Sequence, residues 1–199
     1  MQTINIFNYK IYINEKTDSF DQYPNDFFKC QQIHSANIYL RETWDFVNQQ
    51  ADWIVSNILN TKIAVRVADC NAIILMWKKY FGIIHAWWRW LKDNILQNSI
   101  NLMKKKWEEN ISIYIWPSIR QCCYEVGSEF KDFFDNKYLI STKGRLYLDM
   151  ISIIKDISQK NWISSITIHP DCTYCSNKYF SYRKWDKDKR MIISLEKIF

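Results

Sequence analysis

Three glycines in a chain of 199 residues constrain this sequence more than any other feature. Tight turns and corners at positive φ lean on glycine, because other residues meet their own Cβ there. Average usage would put Gly near 7%, or about fourteen in this length. The chain instead holds ten Trp, and Trp and Gly together make thirteen, close to what Gly alone ordinarily supplies. A fold built from these letters has to turn its corners with residues unsuited to the task.

The rest of the composition is ordinary. Apolar residues make up 48% and charged residues 24%, close to ordinary globular usage, which indicates neither a disordered chain nor a membrane protein. Residues 1–199 suffice for one domain with a core that needs no disulfide staples. No repeat, linker or low-complexity tract places a boundary. No apolar run approaches the roughly 20 residues that span a bilayer, and MQTINIFNYKIYINEK lacks the pattern of a secretory signal. A cytoplasmic protein with no membrane partner is expected. The six cysteines are irregularly spaced, with Cys122 and Cys123 adjacent, which fits thiols kept reduced for packing or metal binding. The net charge of +6 suits an anionic ligand. Its densest runs, Lys104 to Lys106 and Lys184 to Arg190, are short and read as solvated faces, so no nucleic-acid partner is expected.

Apolar patterning predicts alternating strands and helices. Ile63 to Met76 reads as two buried strands broken around Ala68-Asp69-Cys70, and Tyr80 to Ala86 as a third. Leu91 to Lys106 has helical spacing, so His85 lies where a strand hands over to a helix. Ile111 to Ile115 predicts a strand, and Val126 to Phe134 a short helix. Met150 to Ile157 predicts a helix capped by Asp149, followed by a strand over Ile163 to His169.

Chemistry concentrates on few residues. Of the three histidines, His34 and His85 flank Cys70 in sequence. Two imidazoles and one thiolate suit Zn²⁺ and leave a fourth position open, the pattern of a catalytic site. The same letters also fit a buried core thiol and satisfied polar histidines. Arg89 and Arg183 are candidate phosphate ligands through their bidentate donors, or else ion-pair partners. Tyr124, Phe180 and Tyr182 could stack on a flat ring of a ligand or simply pack. Asp69 is placed to orient a metal-binding ring or the turn. Cys172 and Cys175 form a lone CxxC that would need two more ligands for structural zinc. His169 is the only one nearby, so they are read as packing thiols.

Seven segments change the weighting: QQIHSANI (Gln31 to Ile38), ADWIVSN (Ala51 to Asn57), VRVADCNAIIL (Val65 to Leu75), GIIHAWWRWL (Gly82 to Leu91), IWPSIRQCCYEVG (Ile115 to Gly127), DCTYCS (Asp171 to Ser176) and YFSYR (Tyr179 to Arg183). In this order the chain resembles the YfiH-type purine nucleoside phosphorylase family, formerly called multicopper polyphenol oxidase or laccase-domain proteins, over residues 31–191. The resemblance implies a compact, monomeric α/β domain of mixed β-sheets covered by helices. It places zinc on His34, Cys70 and His85, which are then both metal and catalytic residues. It also puts Cys172 near the site, beside the candidate substrate residues Arg89, Tyr124, Phe180 and Arg183. The implied activity is cleavage of adenosine, inosine or methylthioadenosine by phosphate, with adenosine deamination as a companion. Rival readings are a copper-dependent phenol oxidase and a non-catalytic factor in cell-wall precursor quality control. Copper is the weaker cofactor, since three histidines cannot fill several copper centres.

The departures from the family pattern return to the glycine deficit. The family's His-Ala-Gly-Trp-Arg-Gly stands here as His85-Ala86-Trp87-Trp88-Arg89-Trp90, and its Ile-Gly-Pro-Ser-Ile as Ile115-Trp116-Pro117-Ser118-Ile119. Trp53, Trp162 and Trp185 also fall where the family has Gly. The expectation is that the gene uses UGA for glycine, as some bacterial lineages do, and that these codons have been read as Trp. The segment before His34 is short for the family, and of its Gly-Arg-Met only Arg190 and Met191 carry over.

Overall fold

The computed structural model describes residues 2–18, 27–43, 49–106, 110–163 and 165–199. Its strands are β1 (Gln2–Ile6), β2 (Tyr9–Ile13), β3 (Phe27–Phe28), β4 (Ile38–Arg41), β5 (Trp53–Ser56), β6 (Lys62–Val67), β7 (Asn71–Met76), β8 (Phe81–Ala86), β9 (Ser112–Ile115), β10 (Glu125–Val126), β11 (Leu139–Thr142), β12 (Arg145–Leu148), β13 (Ser165–Ile168) and β14 (Met191–Lys197). The helices are α1 (Trp88–Lys92), α2 (Ile95–Lys105) and α3 (Met150–Lys160).

Two mixed sheets form the body. The first runs β1-β2-β14-β6-β3 and the second β13-β9-β7-β8-β5-β4, with a small β10-β12-β11 sheet beside them. Side chains alternate across a strand, so β7 feeds two cores. Ala72, Ile74 and Met76 pack in the cluster with Ile11, Val65 and Ile193 of the five-stranded sheet. Ile73 and Leu75 pack in the cluster with Leu96, Ile100 and Ile154 of the helices. Burial on both faces is why β7 reads as an unbroken apolar run. The mixed α/β architecture agrees with the sequence, with one refinement. The helices cover a single face of the six-stranded sheet, and the other sheet covers the opposite face.

Local differences have local causes. The expected helix over Leu91 to Lys106 is split, because Asn94 takes φ 63° and α2 starts after it. Val126 to Phe134 contains only a 3₁₀ turn, Ser128–Asp132. Asp149 does cap α3, accepting from Ser152 N at 3.1 Å. The strand expected over Ile163 to His169 is β13, with residue 164 outside the described residues. The β1–β2 hairpin has no counterpart in the sequence reading.

Glycine scarcity shows directly in the backbone. Among the described residues, positive φ is adopted by nine non-glycine residues and by Gly144. Three of the nine are Asn, which tolerates this region, but Trp162 at φ 59° and Trp185 at φ 71° have no such excuse.

Candidate metal and substrate site

The turn Ala68-Asp69-Cys70 carries the chain from β6 of one sheet to β7 of the other. Asp69 sits at φ 77° and its buried carboxylate ties down three neighbours. Oδ1 accepts from Thr173 Oγ1 at 2.6 Å, while Oδ2 accepts from Ser181 Oγ at 3.0 Å and Arg183 N at 2.8 Å. Its carbonyl accepts from Ile119 N at 3.0 Å. Asp69 therefore orients the turn that presents Cys70, not an imidazole.

The imidazole is oriented by a residue that sequence reasoning missed. His85, next to the end of β8, places Nδ1 2.9 Å from Asp52 Oδ1, both groups buried. Asp52 Oδ2 accepts from Ser35 N at 2.6 Å and from Ser35 Oγ at 3.2 Å. One carboxylate thus holds both His85 and the residue after His34. Burial pushes the Asp52 carboxyl up, but the bonds from His85 and Ser35 outweigh it and leave the group below its ordinary range. Burial lowers the His85 pKa, and the Asp52 contact offsets only part of that. The pair is therefore carboxylate and neutral imidazole. With Nδ1–H donated to Asp52, Nε2 keeps the lone pair a metal needs.

His34, Cys70 and His85 line one cavity of about 1080 Å³. The two imidazole centroids are 5.6 Å apart, near the roughly 5 Å that two rings on one tetrahedral zinc would show. Burial pushes the Cys70 thiol up to about 12, so a metal would have to displace its proton. The donor set and its Asp52 support fit zinc in kind. One group does not fit: the indole of Trp90 packs at a tilt against both rings, its centroid 4.8 Å from His85 and 5.0 Å from His34. Among the described residues, the three donors do not close to within 4.8 Å of one another.

The remaining sequence candidates divide. Tyr124, Tyr182 and Arg183 line the cavity, whereas Arg89, Cys172 and Phe180 are not in its wall. His169 stacks on Trp116 at 5.8 Å and also lies outside it. Lys29, Arg66, Lys187 and Arg190 join Arg183 on the wall, five basic side chains against the acids Asp69 and Asp188. Cys172 instead meets Cys122, Cys123 and Cys175, whose sulfurs lie within 4.8 Å of one another. The partners that the lone CxxC lacked come from the Cys122-Cys123 pair, more than forty residues earlier in the chain.

Four of the six tryptophans that stand at family glycines are poorly housed. The indole N–H groups of Trp53 and Trp116 are buried without a hydrogen-bond partner among the described residues, a cost of about 1–3 kcal/mol each. Trp162 and Trp185 are 91% and 79% exposed while holding the left-handed backbone. Trp87 is different, with φ −104° that any residue adopts.

A two-sheet α/β body thus gathers two imidazoles, a thiol and a basic wall around one cavity. Residues 14–194 match the family model described as multi-copper polyphenol oxidoreductase laccase, and the chain belongs to this family, the YfiH family. It is 37% identical over 150 residues to a purine nucleoside phosphorylase of Aquifex aeolicus, covering 75% of this chain and 72% of that one. A purine nucleoside phosphorylase of Clostridium acetobutylicum is 29% identical over 202 residues, covering 96% and 80%. The fold is similar to that of the Neisseria meningitidis protein NMB0706, with TM-score 0.82, 18% identity and coverage of 100% and 99%. It is also similar to YlmD of Geobacillus stearothermophilus, with TM-score 0.75, 21% identity and coverage of 87% and 74%.

Proposed function

We propose that the chain is a zinc-dependent purine nucleoside phosphorylase acting on inosine, adenosine and methylthioadenosine, with adenosine deamination as a companion activity. The observation that carries the reading is that His34, Cys70 and His85 line the same cavity as Tyr124, Tyr182 and five basic side chains. His34, Cys70 and His85 would hold the zinc, which when bound supplies Lewis-acid polarisation. Asp52 keeps His85 in the tautomer that presents Nε2. Arg183, whose guanidinium lies 5.2 Å from the Tyr124 ring centroid, offers its donors to phosphate beside a surface on which a purine can stack. In the reaction a phosphate oxygen bonds to C1′ of the ribose, the C1′–N9 bond breaks, and the base leaves carrying a proton. The products are free base and ribose 1-phosphate.

Only two histidines reach the cavity, so a multicopper oxidase has too few imidazoles here. The working enzyme is further proposed to carry Gly at positions 53, 87, 90, 116, 162 and 185, which would remove the indole packed on both histidines. The reading places the enzyme in the cytoplasm as a monomer. Its test is release of hypoxanthine from inosine, measured with and without phosphate in the zinc-loaded protein. Phosphate-dependent release that disappears in Cys70→Ala supports it. Release independent of phosphate, or none from a folded chain with Gly at the six positions, overturns it.

A further inference from the structure

Cys122, Cys123, Cys172 and Cys175 lie on two turns that the sequence separates and the fold joins. The first turn follows Ser118-Ile119-Arg120, where Arg120 O accepts from Cys123 N at 2.9 Å and Tyr124 N at 2.8 Å. The second follows Asp171, where Cys172 O accepts from Ser176 N at 2.9 Å. The two are stitched by a bridge between Ser118 and Cys172 and by Thr173 N donating to Ser118 O at 3.2 Å.

The sulfurs are spaced for an ion. Four thiolates on one tetrahedral zinc, with Zn–S near 2.3 Å, have sulfurs about 3.8 Å apart. Here Cys122 Sγ is 3.7 Å and Cys123 Sγ 3.2 Å from Cys175 Sγ, and every pair lies within 4.8 Å. These separations exceed a covalent S–S bond of about 2.05 Å, and all four cysteines are free. The Arg120 main-chain N–H also points at Cys172 Sγ, 3.4 Å away, as amides do toward thiolates held on a metal. Cys172 and Cys175 have the two-residue spacing of a zinc-binding turn.

We propose that these four cysteines form a structural zinc site, separate from the His34, Cys70, His85 cavity. Four protein ligands leave no open position, so the site clamps and does not catalyse. What it clamps is defined by the neighbours of its ligands. Tyr124 follows Cys123 and lines the cavity, and Thr173 follows Cys172 and bonds Asp69 beside Cys70. The ion joins the two turns behind the substrate cavity, work that packing alone does poorly where Cys122 and Cys175 are exposed. The inference stands whether or not the nucleoside reading holds.

The test uses the full chain loaded with Zn²⁺ under reducing conditions, with native mass spectrometry counting ions in the Cys70→Ala protein. About one zinc per chain is expected to remain there, and to be lost in Cys70→Ala combined with Cys175→Ser. Co²⁺ in place of zinc in the Cys70→Ala protein should give the intense thiolate charge-transfer bands of a four-sulfur site. Alkylation of unmutated protein reads the same site if the double variant fails to fold: the four thiols should be protected by zinc and exposed by chelator. No retained ion in Cys70→Ala, equal alkylation with and without zinc, or a Cys123–Cys175 disulfide in the reduced preparation would each overturn the proposal.

Discussion

Asp52 and His85 form a buried pair at 2.9 Å whose carboxylate has a second task, because its other oxygen accepts from the amide of Ser35, next to His34. One side chain therefore ties His85 to Ser35, the neighbour of His34, 50 residues away in sequence. Removing a carboxylate that orients a metal-binding imidazole typically costs 10–100-fold in metal affinity. Asp52→Asn should weaken zinc binding by about that factor, measured by competition with a chromophoric chelator, while Ser35→Ala should cost less. An unchanged affinity in Asp52→Asn would mean that the pair is merely a packing device.

The same pair sets an acid limit on the metal-free protein. His85 is held neutral with its pKa lowered, so the unfolded chain binds its proton first as pH falls. Stability from this group is present above the unfolded value of 6.5 and declines below it. Asp52, lowered from 3.8, adds a second loss at more acid pH. Urea midpoints of the metal-free protein should fall as pH drops from about 6.5 to about 4. His85→Gln should flatten the upper part of that profile, and a flat profile in the unmutated protein would contradict the neutral assignment.

The tryptophans give a prediction that needs no substrate. Trp162 ends α3 and Trp185 follows a 3₁₀ turn, both in the left-handed region where a side chain costs about 1–2 kcal/mol. Trp162→Gly and Trp185→Gly should each raise unfolding stability by about 1 kcal/mol, read from denaturant midpoints. Loss of stability in both would mean that the indoles belong there. Reading the ten Trp codons decides the matter independently, since UGG at the six positions removes the glycine reading. Trp90→Gly should also tighten zinc binding.

How far the sequence could be read follows from how local each feature is. The break at Ala68-Asp69-Cys70 was legible because apolar runs on either side stop at a polar residue, and it proved to be the turn between two sheets. His85 at a strand end was legible for the same reason. Asp52 was not, because nothing in ADWIVSN says that its carboxylate reaches β8; only the β5–β8 pairing brings them together. The fourfold thiol cluster was hidden likewise, since Cys122 and Cys172 become neighbours only through the Ser118 bridge. The β1–β2 hairpin was missed because its corner is Phe7 at φ 51°, with no Gly or Pro to mark it.

The basic wall separates two arginines that looked equivalent in the sequence. Arg183 lines the cavity, and Asp69 holds its main-chain N–H at 2.8 Å, so its position is fixed by the turn that presents Cys70. Arg89 is exposed on α1, with its guanidinium 5.1 Å from the Trp88 ring centroid and outside the cavity wall. If phosphate binds on the wall, removing a charged hydrogen-bond donor should cost about 1.5–3 kcal/mol, roughly 10- to 100-fold in KM for phosphate. Arg183→Ala should raise that KM while changing the KM for inosine less. Arg66→Ala should act in the same direction, since Arg66 also lines the cavity. Arg89→Ala should leave both constants within about twofold, the scale of an exposed cation. Steady-state kinetics at varied phosphate resolves the three variants, and a large phosphate effect from Arg89→Ala alone would move the anion site off this wall.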